Sequence, residues 1–292
     1  MVAESPLMRA ALERARRFAG SDATVLLLGE SGTGKEVVAR FMHQQSGRAQ
    51  SPYVRINCAA LPESLIEGEL FGHSRGAFTG ADQDRLGKLE WAEDGTVLLD
   101  EVGELPLGLQ AKLLRVLEEG EFQRLGDNRV IPLRSRVIAS TNRDLGTEVV
   151  EGRFRADLYY RLFVLNIELP RLRDRPEDLL PLARHFLNQY APAPMQLGRR
   201  AICQVMAHDW PGNVRELKNV MQRAAVLADG ERIEELEIVE LPHRLAADAN
   251  WPAIPLAEAE RRTLEAALRQ AEGNQAAAAR ILEVAPKTVG NM

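Results

Sequence analysis

Gly29-Glu30-Ser31-Gly32-Thr33-Gly34-Lys35-Glu36 is the stretch on which the reading of this chain turns. It follows the apolar run Thr24-Val25-Leu26-Leu27-Leu28, which reads as a strand, and opens onto Glu36-Val37-Val38-Ala39-Arg40-Phe41-Met42, whose apolar spacing is helical. Strand, glycine loop and helix in that order are the context of a phosphate-binding loop. Glycines let successive backbone N–H groups turn inward around a phosphate chain, where a Cβ would obstruct them. The helix that follows aims its partly positive N-terminus at the same anion, and Lys35 brings an ammonium to the β- and γ-phosphates. The spacing from Gly29 to Lys35 fits the pattern. The next position, where a Ser or Thr hydroxyl is expected on Mg²⁺, holds Glu36 instead. Residues Gly29 to Glu36 are expected to bind a nucleotide.

On either side of this loop, residues 7–19 read as an amphipathic helix, 52–57 as a second strand, and 63–71 as a helix. Gly72 to Ala81 is too glycine-rich for a helix, with Phe78 the one large apolar side chain among small residues. A short helix is expected over 87–91, a buried strand ending in two acids over 95–101, a helix over 107–117, and strands over 136–140 and 163–169. Strands alternating with helices predict an α/β fold, a parallel sheet covered on both faces. Beyond Pro170 the pattern changes to helices over 176–190, 199–208 and 214–227 with no strand between them. The expected domains are therefore an α/β nucleotide-binding part over 1–170, a small all-α lid over 171–245, and a linker with a short helical segment over 246–292.

The 292-residue chain is 45% hydrophobic and 27% charged, ordinary for a globular protein large enough for two domains. Its net charge of −5 gives no overall pull toward nucleic acid or anionic membrane, so any such contact must be local. No apolar run approaches the roughly 18 residues that span a bilayer, and Met1-Val2-Ala3-Glu4-Ser5-Pro6 is no signal peptide. Cys58 and Cys203 lack a CxxC partner and suit a reducing compartment. A cytoplasmic protein without membrane contact is the expectation. The five histidines show no ligand spacing, and no bound zinc is expected.

Asp100-Glu101, closing an apolar strand after a phosphate loop, reads as the second half of an ATP site. One carboxylate is needed for Mg²⁺, directly or through water, and the next for orienting and deprotonating the attacking water. Asp100 is assigned to the metal and Glu101 to the water, with ATP and Mg²⁺ as the ligands.

What the ATP is for is indicated by Gly76-Ala77-Phe78-Thr79-Gly80-Ala81. This GAFTGA string resembles the signature of the bacterial enhancer-binding proteins, the NtrC-type AAA+ activators of sigma-54 RNA polymerase. The loop around Lys35, Leu70-Phe71-Gly72-His73, the run from Leu98 to Leu105, Phe154-Arg155-Ala156-Asp157-Leu158 with Arg161-Leu162, and Trp210-Pro211-Gly212-Asn213-Val214-Arg215-Glu216-Leu217 match the family in order, over about residues 1–245. That family also carries Glu after the loop lysine.

The resemblance implies an AAA+ P-loop ATPase and assigns further roles. Asn57 resembles the asparagine that restrains the catalytic glutamate until a γ-phosphate is sensed; read without the family, it is equally a turn residue at a strand end. Thr141 and Asn142 resemble the first sensor, and Arg215 the second. Arg155 and Arg161 resemble arginine fingers that enter a neighbouring subunit's site, which implies a homo-oligomeric ring, a hexamer or heptamer. Gly76 to Ala81 would contact sigma-54, with a second surface loop around 120–130 in support. From Leu256 the chain resembles the start of a Fis-type helix-turn-helix for enhancer DNA. Five basic residues there are balanced by five acidic ones, so weak DNA binding by this segment is expected. The rival readings are another AAA+ remodeller, such as a helicase or unfoldase, and a nucleotide-gated DNA-binding regulator; the intact GAFTGA string argues against both.

Overall fold

A computed structural model describes residues 2–59, 63–78, 81–191, 193–228 and 230–238. Contacts divide the chain after Ile238. The linker and Fis-type segment expected over 246–292 lie outside the described residues, as do Thr79 and Gly80.

The chain enters through α1 (Pro6–Ala19), whose N-terminus is set by Pro6 in the first turn and by the Ser5 hydroxyl, which accepts from Met8 N–H at 3.2 Å. There follow β1 (Val25–Leu28), α2 (Lys35–Gln44), β2 (Tyr53–Asn57), α3 (Glu63–Phe71) and the short antiparallel pair β3 (Gly72–His73) and β4 (Arg85–Leu86). Next come α4 (Lys88–Trp91), β5 (Thr96–Asp100), α5 (Leu107–Glu119), the hairpin β6 (Glu121–Gln123) and β7 (Val130–Pro132), β8 (Arg136–Thr141), α6 (Leu145–Val150), α7 (Ala156–Leu162) and β9 (Leu165–Glu168). The lid holds α8 (Pro176–Tyr190), β10 (Gln196–Leu197), α9 (Arg199–Ala207), α10 (Asn213–Leu227) and β11 (Arg232–Ile233).

Five strands form one parallel sheet in the order β2-β5-β8-β1-β9. Every residue of the central strands β5 and β8 is buried, the mark of a sheet covered on both faces. Alternate side chains divide the core. Leu26, Leu99 and Ala139 pack with Leu70, Leu113 and Leu158 on one face, while Val25, Leu27, Leu98 and Ile138 pack with Ala15, Val38 and Met42 of α1 and α2 on the other. Each fully buried Val, Leu, Ile or Met among them contributes about 1.5–3 kcal/mol. The C-terminal ends of β1, β8 and β5 lie side by side, the position where open α/β sheets build ligand sites.

The lid core surrounds Trp210, whose indole N–H reaches Val205 O at 2.9 Å, with Leu179, Ala183, Leu217 and Met221 against it. Three expectations need correction. The lid is not strand-free: β10 and β11 pair in parallel, but at two residues each they show no period to read. Glu101 is not the last residue of a strand; it lies beyond β5 with φ of +57°. The strand expected from residue 163 begins at Leu165, because Phe163 closes α7 with its N–H on Tyr159 O at 2.9 Å. Both α6 and α7 went unread, being too short to display helical periodicity.

Candidate nucleotide-binding site

The loop from Gly29 to Lys35 turns on glycines at positive φ. Gly34, at +111°, caps α2, and Gly32, at +80°, has no room for a side chain, since a Cβ would fall 2.4 Å from Gly212 O of the lid. Lys35, 6% exposed, donates from Nζ to Gly29 O at 2.8 Å and Glu30 O at 3.3 Å, and lies 3.4 Å from Glu101 Oε1. The ammonium is thus held across the mouth of the loop, beside the acid pair.

Asp100 is buried at the end of β5. Its Oδ1 accepts from Ser140 Oγ at 2.6 Å, and its Oδ2 from Arg55 at 2.7 Å. Glu101 holds a left-handed backbone conformation that is costly for a residue with a Cβ, a form of strain concentrated at functional sites. Its Oε2 accepts from Asn142 N–H at 3.0 Å, so the expected first sensor is in direct contact with the residue assigned to the water. Thr141 is fully buried and turns the loop inward by accepting Arg143 N–H at 3.1 Å. Burial, with the charges of Asp100 and Glu101 adding to it, pushes the Cys58 thiol up to about 12, so this cysteine stays neutral beside the acids.

Among the described residues Asn57 makes no hydrogen bond to Glu101. Its carboxamide oxygen accepts Ala59 N–H at 3.0 Å, a turn at the strand end. Arg215 donates to Ser31 Oγ at 2.8 Å, bringing the expected second sensor onto the loop. Three lid contacts were missed. Asn213, 1% exposed and at φ +53°, donates to Glu30 Oε2 and Ser31 O and accepts Leu172 N–H at 2.8 Å. Val214 N–H reaches Gly32 O at 3.0 Å. Arg175, also buried, donates to Thr33 O at 2.8 Å. Each takes a loop carbonyl or side chain from outside. Of these, Asn213 and Val214 stood in a motif that could have flagged them, and Arg175 did not. A cleft of about 580 Å³ adjoins the loop, lined by Gly29, Glu30, Asn142, Tyr159, Leu169 and Arg171.

Arg155 and Arg161 are not brought to this site. Arg155 pairs with Asp157 at 2.7 Å, and Arg161 Nε donates to Leu117 O at 3.1 Å, both at the surface around α7. Their segment is nevertheless anchored. The fully buried Gln110 accepts Arg155 N–H at 2.8 Å and donates to Leu105 O and Arg153 O. Glu148 binds Arg153 and Arg143, whose hydrogen bonds and charges lower its carboxyl to about 2.

Gly76, Ala77, Phe78 and Ala81 form a turn beyond β3, with Gly76 N–H on Ala81 O and Ala81 N–H on Phe78 O. Phe78 is 42% exposed, edge-on to His73 at 4.9 Å. The β6–β7 hairpin holds the turn from beside it: Ser74 N–H donates to Leu125 O, Leu125 N–H donates to Gly72 O, and Gly126 abuts Ala77. The support expected around 120–130 is therefore this hairpin.

Residues 1–168 match the sigma-54 interaction domain family, which is more than half of the chain. The chain belongs to this family of sigma-54 activators. Within it, residues 173–252 match the AAA+ ATPase lid domain and residues 255–291 the Fis family of bacterial regulatory proteins. The transcriptional regulatory protein ZraR of Klebsiella oxytoca is 48% identical over 297 residues, covering 99% of this chain and 67% of ZraR. The Nif-specific regulatory protein of Azotobacter vinelandii is 46% identical over 302 residues, covering 99% of this chain but 57% of that protein. Among solved structures, NtrX from Brucella abortus in complex with ADP is 33% identical with a TM-score of 0.75, covering all of this chain and 67% of NtrX. As a sigma-54 activator of the AAA+ class, the chain is an ATPase. Among the described residues, no helix is long and apolar enough to cross a membrane.

Proposed function

We propose that this ATP-hydrolysing activator of sigma-54-dependent transcription works in the cytoplasm as a homo-oligomeric ring, a hexamer or heptamer. Turnover at one site of the ring drives the turn from Gly76 to Ala81 onto sigma-54 and remodels the closed promoter complex of RNA polymerase into the open one. The loop N–H groups and Lys35 bind the β- and γ-phosphates of ATP. Asp100 and Glu101 offer the all-oxygen donors that a hard divalent cation takes, and the Ser140 hydroxyl orients Asp100, so these residues fit Mg²⁺. Asp100 would hold the ion directly or through water, and the ion would supply positive charge beside the phosphates. Glu101, steadied by Asn142 N–H, orients the attacking water and takes its proton. Asn57 restrains Glu101 in a different nucleotide state, Thr141 and Asn142 report the γ-phosphate, and Arg215 couples the lid to it. Arg155 and Arg161 reach the site of the adjoining subunit, where their forked donors stabilise charge on the transferring phosphoryl group. The Fis-type segment contacts enhancer DNA, weakly given its balanced charge.

The observation that carries this reading is Phe78, solvent-exposed on a turn fastened to the same body as the ATP site yet sharing no residue with it. An aromatic left in water among glycines points to a partner surface. The test is retention of sigma-54 by the protein with ADP plus aluminium fluoride, beside ADP alone, with Thr79→Ala as control. Retention that needs both the analogue and Thr79 supports the reading. ATP turnover without retention would mean that the motor remodels another client.

A further inference from the structure

Strand β2 lies at the edge of the sheet and alternates strictly: Val54 and Ile56 enter the core, while Tyr53, Arg55 and Asn57 face the α2 side. The ladder pairs Arg55 with Leu98 and Asn57 with Asp100. Arg55 therefore sits one pleat back from the end of the strand, with its side chain running toward the acids. There its fork is split between two carboxylates. One terminal nitrogen lies 2.6 Å from Glu36 Oε2 and the other 2.7 Å from Asp100 Oδ2. Glu36 occupies the position after the loop lysine, and Asp100 is the residue that fits the metal. With Ser140 on its other oxygen, Asp100 has a partner on both oxygens. Lys35 does not serve as its counter-charge, being committed to two loop carbonyls and Glu101.

We propose that Arg55 is a tethered counter-cation that competes with Mg²⁺ for Asp100 and so sets the Mg²⁺ concentration at which the nucleotide complex forms. Without nucleotide, the guanidinium neutralises Asp100 and Glu36, two carboxylates that would otherwise repel each other and any incoming phosphate. When a divalent cation approaches Asp100, the fork yields that oxygen and keeps Glu36, which is more exposed and leaves the longer side chain free to swing. Arg55 is a positioning residue in this scheme, since it acts on the metal only through Asp100. The inference rests on the assignment of Asp100 to Mg²⁺.

Two binding readouts test it, both on the full chain with a fluorescent ADP analogue. Removing Arg55 leaves a more negative cluster, so Arg55→Ala should lower the half-saturating Mg²⁺ for nucleotide binding by about fivefold, the scale of a partly exposed ion pair. In EDTA the same change should weaken nucleotide binding by a similar factor, because nothing then offsets the acids. Arg55→Lys, which keeps the charge but loses the fork, should fall between the two and guards against loss of fold in the alanine variant. A folded Arg55→Ala protein with unchanged Mg²⁺ dependence would reduce Arg55 to a surface ion pair, and a raised requirement would mean that it supports the metal rather than competing with it. Either result overturns the inference while leaving Asp100 in place. If wild-type binding showed no Mg²⁺ dependence at all, the assignment of Asp100 would fall with it.

Discussion

The loop around Lys35 and the turn around Phe78 are both glycine-rich and both follow a strand, but they are built in opposite ways. The first is gripped from every side. Lid residues Asn213, Val214, Arg175 and Arg215 bind its carbonyls and side chains, Lys35 is almost fully covered, and Asp100 has a partner on each oxygen. The second is held at its base by backbone hydrogen bonds from the β6–β7 hairpin and presents Phe78 to solvent. Phosphoryl chemistry depends on groups fixed before the reaction, so its loop is anchored through side chains over long sequence distances. Contact with a partner requires an exposed side chain on a frame that can be displaced as a unit. Glycine serves backbone approach in one region and conformational latitude in the other.

The largest effect is expected at the catalytic end. Arg161→Ala removes a group that hydrogen-bonds Leu117 O rather than the nucleotide loop, yet on the proposed ring it should lower ATP turnover by roughly 10³-fold or more, the scale of an arginine finger, while nucleotide binding stays near normal. Steady-state phosphate release beside fluorescent-nucleotide binding measures both. Turnover at the wild-type rate would remove the shared site.

A smaller effect should follow from loosening the lid latch. Asn213→Ala leaves the buried Leu172 N–H unpaired and puts alanine into a left-handed conformation that asparagine tolerates better. The expected cost is roughly 2–4 kcal/mol in urea unfolding. A loss within about 0.5 kcal/mol would place Asn213 among ordinary surface positions.

The smallest expected effect concerns the segment that carries the arginines. Glu148 titrates at about 2 in the folded chain, below its ordinary 4.5, because Arg153 and Arg143 favour the carboxylate. Its stabilising contribution is complete above the ordinary value and is lost as pH falls toward 2. Glu148→Gln should therefore be less stable than wild type near neutrality and converge on it in acid, as read from unfolding midpoints across that window. Parallel curves at all pH values would show that the ion pairs contribute nothing.

The sequence exposed what is local and periodic. The phosphate loop lies within eight consecutive residues, β5 and β8 are centred on the apolar runs Val97–Leu99 and Val137–Ala139, and α8 was legible to the residue because a proline opens it and its apolar spacing persists to Tyr190. Contacts that close the site across the fold were not legible. Asn213 reaches Glu30, Arg175 reaches Thr33 and Arg55 reaches Asp100 over separations of 183, 142 and 45 residues. No spacing rule links such positions. The left-handed backbone of Glu101 was equally hidden, since nothing in Leu98-Leu99-Asp100-Glu101 says where the strand ends and the turn begins.

On the proposed function, the ATP site and the Phe78 turn are one machine with separable parts. Phe78→Ala tests it most directly, with ATP turnover and analogue-dependent retention of sigma-54 measured on the same preparation. Turnover within about twofold of wild type, as expected for an exposed position away from the site, together with loss of retention is the predicted result. A parallel fall in both would contradict it, because the turn would then belong to the catalytic structure.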